Sequence, residues 1–150
     1  MKSKAVIISV FLVFFCMYVP SAFSSGIKWY SYEEGTARGK YEKKNVFINF
    51  YANWCGYCKK MDNDTFKDDN IIAYLNENFV SVKVNSDKER KIAAAYYVRG
   101  LPVSWFLAKD GEKISSLPGY VPPKMMINIL RYIKEGKYKE MTFNEFMKSL

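Results

Sequence analysis

Cys55 and Cys58 are the residues best suited to covalent chemistry, and their spacing limits what that chemistry can be. The chain holds three cysteines and no histidine among 150 residues. Without histidine there is no Ser-His-Asp triad, no Cys-His pair, no imidazole base and no His-bound zinc. Three cysteines alone cannot complete a four-cysteine zinc site or an iron–sulfur cluster. The pair Cys55/Cys58 then has three readings: a structural disulfide, two metal ligands, or a redox dithiol. A disulfide closing so small a loop constrains the unfolded chain little. A metal would need other ligands, and only Met61 lies close in sequence. A dithiol at a helix start fits the residues best. Unpaired N–H groups and the helix dipole favour a thiolate on Cys55, and Cys58 falls one turn along the same face. Cys55 would attack a substrate disulfide, and Cys58 would resolve the mixed disulfide.

The surrounding elements must place that helix start. Val46–Tyr51 is β-branched, aromatic and nearly all apolar, the pattern of a strand buried on both faces. It leads through Ala52, Asn53 and Trp54 into a helix over 55–63. Before it, Ser31 and Glu34 have capping-box spacing for a helix over 32–43, which Gly35 and Gly39 weaken. After it come a short helix over 71–77 capped from 68–70 and a strand over 79–84. A helix over 87–97 follows, then the breaker Arg99-Gly100-Leu101-Pro102. Strands over 103–107 and 113–117 flank a turn at 109–112. An amphipathic helix over 124–134 shows Met126, Ile127, Leu130 and Ile133 on one face. A last helix opens with a capping box at Thr142 and Glu145, with Met141 and Phe146 placed as a hydrophobic staple. Interleaved helices and strands followed by a hairpin predict an α/β fold, a mixed sheet with helices on both faces.

The N-terminus reads as an address. Lys2 and Lys4 precede the uncharged stretch Ala5–Val19, and Ala22 and Ser24 suit a cleavage site, so residues 1–24 are expected to be a signal peptide and 25–150 the mature domain. The apolar stretch falls short of the roughly 20 residues a spanning helix needs, which makes an uncleaved membrane anchor the lesser alternative. Cys16 follows Phe14 and Phe15 rather than the small residues of a lipoprotein site, and belongs to the leader. Export leaves Cys55 and Cys58 in a compartment where disulfides persist. The net charge of +8 comes from lysines and arginines scattered among acids, with no basic stripe for nucleic acid. No cofactor motif is present.

The run Ala52-Asn53-Trp54-Cys55-Gly56-Tyr57-Cys58-Lys59 after a buried strand, with Arg99-Gly100-Leu101-Pro102-Val103 downstream, resembles the thioredoxin superfamily. Asp64-Thr65-Phe66 with Asn70-Ile71, Val82–Asn85, Lys109–Gly111 and Gly119 extend the resemblance over nearly all of 28–134. It is nearest to the branch containing the C-terminal domain of the thiol:disulfide interchange protein DsbD. The resemblance implies a thioredoxin fold with an extra helix beyond Gly136, and a redox-active Cys55–Cys58 disulfide without cofactor or metal. It implies Cys55 as nucleophile and Cys58 as resolving thiol. It also implies a cis Pro102 that, with Leu101, Trp54, Gly56 and Tyr57, supports a substrate groove. In place of the family's buried Asp stands Asn49, which cannot titrate. Lys83 takes the position of the lysine that accompanies that Asp, so the two form either a satisfied polar pair or a pKa-tuning pair. Periplasmic reduction of protein disulfides is the implied activity, fed by a membrane-bound electron donor of DsbD type. A disulfide oxidase or isomerase and a non-catalytic binding module or chaperone are the alternatives. The oligomeric state is left open, with a monomer favoured.

Overall fold

The protein, a computed structural model, is described over residues 26–150; the expected signal peptide, its cleavage point and Cys16 lie outside the described residues. In chain order the elements are β1 (Trp29–Tyr30), α1 (Tyr32–Glu42), β2 (Asn45–Tyr51), α2 (Gly56–Asn63), α3 (Asp69–Asn78), β3 (Phe79–Asn85), α4 (Arg90–Ala95), β4 (Val103–Leu107), β5 (Lys113–Pro118), α5 (Pro123–Lys134) and α6 (Phe143–Lys148). The strands form one sheet in the order β1-β3-β2-β4-β5. β1, β3 and β2 run parallel, and β4 and β5 are antiparallel additions. This is the expected mixed α/β sheet, a thioredoxin fold with a C-terminal helix. Among the described residues no helix is long and apolar enough to cross a membrane.

Each central strand divides its side chains between two faces, as a period of two dictates. Val46, Ile48, Phe50, Val80, Val82 and Val84 pack with Ala93 and Tyr96 of the α4 region. Phe47, Phe79 and Phe106 pack on the other face against Met61 of α2, Ile71 and Leu75 of α3, and Met126, Ile129, Leu130 and Ile133 of α5. Ile127, expected on the buried stripe of α5, is only partly buried, and Ile129 takes the deeper place.

α1 forms despite its two glycines because the sheet requires them. A Cβ at Gly35 would run into the Val82 side chain, and one at Gly39 into Val46. The residues that lower helix propensity are the ones that let α1 lie close on β3 and β2. The Ser31 hydroxyl accepts the Glu34 N–H at 3.3 Å, one of the two bonds of the expected capping box. The helix expected over 87–97 is shortened at both ends. The Asn85 side chain accepts from the N–H groups of Asp87 and Lys88, holding 86–89 as a turn, and Tyr97 leaves helical geometry with a φ of 53°. β1 and the 3₁₀ turn Thr65–Lys67 were absent from the sequence expectation, being too short to show a period. The Thr142–Glu145 capping box forms reciprocally at the start of α6. Phe146 stacks on Tyr132 and Phe143.

Candidate active site

β2 is buried along almost its whole length and delivers the chain at one end of the sheet, where α2 begins. Cys55 is the N-cap of α2, in extended backbone geometry, and Cys58 lies one turn in. The two are joined as a disulfide with a Cα–Cα separation of 5.2 Å. The Cys58 N–H donates to the Cys55 sulfur at 3.1 Å. A backbone N–H in this place, at a helix start, is the kind of group that favours a thiolate once such a disulfide is reduced. Both cysteines are buried, at 4% and 3% exposed, yet the residues around them are open to solvent: Trp54 is 71% and Tyr57 66% exposed. The buried sulfurs are thus bordered by an exposed aromatic rim.

The rim is held from several directions. The Trp54 indole N–H donates to Asp87 Oδ2 at 3.0 Å, which anchors one edge of an otherwise exposed ring. Gly56 opens α2, and a side chain there would meet open space, so the glycine is not demanded by packing. Leu101 packs against the cysteines together with Ala52 and Tyr51. The Leu101–Pro102 peptide bond is cis, and the Pro102 carbonyl accepts the Gly119 N–H at 2.7 Å. Gly119 has a φ of 86°, a conformation that glycine adopts freely. Tyr120 follows. Its hydroxyl donates to Asp64 Oδ2 at 3.1 Å, and the Lys60 ammonium lies 4.5 Å over its ring. Desolvation first, then the bond to Asp64, raises its phenol above the usual tyrosine range.

The expected Asn49–Lys83 polar pair does not form. The two residues are register neighbours across β2 and β3, but Lys83 Nζ turns to Asp62 Oδ1, at 2.6 Å. It also sits 4.9 Å from the Tyr51 ring centre and 5.4 Å from that of Trp29. Asn49 is 2% exposed, and its Nδ2 has no partner. The physical reason is charge: a lysine gains more from a carboxylate than from a neutral amide, and α2 brings one within reach. Asp62 and Asp87 are the residues that the motif reading missed. Asp62 had one signal, its i+4 spacing from Cys58 on the same helix. Asp87 had none, since nothing local ties it to Trp54.

Among the described residues no cluster of three or more His, Cys, Asp or Glu is disposed to hold a metal. The site can perform thiol–disulfide exchange, with a buried pair of sulfurs at a helix start and an exposed docking rim.

Comparison with known proteins agrees. The family model described as a thioredoxin-like domain matches residues 32–134. Thioredoxin 1 of Synechococcus elongatus is 31% identical over 85 residues, which cover 57% of this chain and 76% of that protein. Protein disulfide isomerase-like 5-2 of Oryza sativa is 40% identical over 57 residues, 38% of this chain but only 14% of the rice protein. The solution structure of a thioredoxin from Thermus thermophilus superposes with a TM-score of 0.66 at 27% identity, over 72% of this chain and 87% of that one.

Proposed function

Because this chain belongs to the thioredoxin-like family, we propose that it is an exported thiol:disulfide oxidoreductase that reduces protein disulfides with the Cys55–Cys58 dithiol. The observation that carries the reading is Cys55 at the N-cap of α2, its sulfur facing the Cys58 N–H beside the cis Pro102 loop. The Cys55 thiolate attacks a substrate disulfide, forming a mixed disulfide and expelling one substrate thiolate. Cys58, on losing its proton, attacks the Cys55 sulfur. The second substrate thiolate leaves, and Cys55–Cys58 closes as the disulfide seen here. Two electrons pass to the substrate, and a membrane-bound dithiol donor returns the pair to the reduced state. Leu101 and Pro102 shape the groove, and Trp54, Gly56 and Tyr57 form its rim.

Export is supported by the leader pattern of residues 1–24, and a periplasmic location is proposed with it as a compartment where substrate disulfides form and persist. The direction of electron flow is tested by equilibrating the protein with glutathione buffers. A potential near that of thioredoxin, about −270 mV, agrees with a reductase, whereas one near about −120 mV makes the protein an oxidant and sinks the reading.

A further inference from the structure

Resolution by Cys58 needs somewhere to put a proton. Cys58 attacks as a thiolate, and an unassisted cysteine is only a few per cent thiolate near neutral pH. Its side chain is 3% exposed, which keeps bulk water from the sulfur, and the chain has no histidine. Asn49, buried on β2, is an amide and takes up no proton. Three carboxylates are tied to α2 or to the dithiol rim. Asp87 is bonded to the Trp54 indole. Asp64 lies about 240° round the helix from Cys58 and accepts from the Tyr120 hydroxyl. Asp62 lies one turn past Cys58 and about 40° round, on the same side of α2. Such i,i+4 neighbours have Cβ atoms about 5–6 Å apart, a span that a thiol and a carboxylate close directly or through one water.

Lys83 fixes the place of that carboxylate. Its Nζ meets Asp62 Oδ1 at 2.6 Å and lies 4.9 Å from the ring centre of Tyr51, which packs on the cluster of Ala52, Cys55 and Cys58. The Asp62 side chain is 37% exposed, so it can exchange a proton with solvent where the buried sulfur cannot. Lys67 and Asp69, both exposed, line the same hollow as Asp62 and Lys83. Of the lysines on α2, Lys59 is exposed and Lys60 lies over the Tyr120 ring.

Resting on the redox reading above, we propose that Asp62 is the proton acceptor for Cys58 in the resolving step, held in place by Lys83. The Cys58 S–H gives its proton to the Asp62 carboxylate. The Cys58 sulfur bonds to the Cys55 sulfur, the bond from Cys55 to the substrate sulfur breaks, and the substrate leaves as a thiolate. Asp62 then releases the proton to solvent and is a carboxylate again. The two electrons are those already passed to the substrate, so the step needs no further reductant.

The test follows the mixed disulfide between Cys55 and glutathione. Reduced protein is mixed with glutathione disulfide over a range of pH, quenched with acid at intervals and weighed by mass spectrometry. Asp62→Asn is combined with Lys83→Gln, which removes the carboxylate without stranding an unpaired ammonium. The double variant is expected to resolve about 100-fold more slowly at neutral pH, so that the Cys55 adduct accumulates. The gap should narrow as pH rises past about 8.5, where Cys58 ionises without help. Asp62→Glu, which keeps the carboxylate, should retain most of the rate. Formation of the adduct, timed in a Cys58→Ser background, should be the same with and without the double change. Unchanged or faster resolution in the double variant overturns the proposal. Slowing by the same factor at every pH overturns it too, since that marks a structural role, and so does equal slowing of adduct formation. A native protein that forms no adduct and does not reduce glutathione disulfide is a different result, which overturns the redox reading itself.

Discussion

The two faces of the sheet are built from the same strands but are not equivalent. On the α1/α4 face Val46, Ile48, Phe50, Val80, Val82 and Val84 form an almost purely aliphatic layer. Alternation puts Asn49, Ser81 and Lys83 of the same strands, with Ser104 of β4, on the opposite face, which receives α2. Three of these four have a buried polar atom without a partner: Asn49 Nδ2, Ser81 Oγ and Ser104 Oγ. Buried polar atoms left unpaired cost stability, so the dithiol face carries residues that a face built for packing alone would have exchanged for apolar ones. Both faces hold apolar core, but among the described residues the unpaired strand atoms all fall on the dithiol face.

That contrast breaks most readily at Ile48, which is fully buried on the aliphatic face. Ile48→Ala is expected to cost about 2–5 kcal/mol in denaturant unfolding, with thiol exchange by the folded fraction unchanged. Asn49→Leu, one residue along and on the other face, should do the reverse. Removing the unpaired amide is expected to raise stability by about 1–3 kcal/mol. A destabilised Asn49→Leu would show that the amide has a structural partner in solution and that the faces do not differ as described.

Tyr96 brings a buried hydroxyl to the aliphatic face. It is 4% exposed, and its hydroxyl meets that of Tyr32 at 3.1 Å. Burial first, then the contact with Tyr32, holds its phenol well above the usual tyrosine range. The unfolded chain loses this proton near about pH 10 while the folded chain keeps it, so stability is present below that pH and falls as pH rises past it. Tyr96→Phe should flatten this alkaline loss in a pH series of unfolding curves, at a neutral-pH cost of about 1 kcal/mol for the lost hydrogen bond. The smallest effect on stability belongs to Asp62→Asn. The Lys83–Asp62 pair is part-exposed, at 22% and 37%, and such pairs contribute about 0–1 kcal/mol. Calorimetry should barely register the change. A shift of more than about 1 kcal/mol would instead mark the pair as a structural element of the dithiol face.

Much of this was legible in the sequence wherever the cause was local. The buried strand over 46–51, the cysteines at a helix start, the Thr142 cap and the Gly-Leu-Pro loop each declare themselves within a few residues. The long-range choices were less legible. Lys83 selects Asp62 over Asn49 only once α2 lies across β3, and no local pattern records that crossing. Gly35 and Gly39 argued against a helix in isolation, because the reason for them, the Val82 and Val46 side chains, sits on distant strands. β1 was missed because two residues have no period, and its place is set by pairing with Ser81 and Val82.

The central claim is that Cys55 attacks and Cys58 resolves. Cys58→Ser, incubated with a disulfide-containing protein substrate and quenched with acid, tests it most directly by mass spectrometry. The account predicts a stable mixed disulfide on Cys55 that the native protein does not accumulate, and none when Cys55→Ser is added. A Cys58→Ser protein that forms no adduct, while the native protein still reduces the substrate, would contradict it.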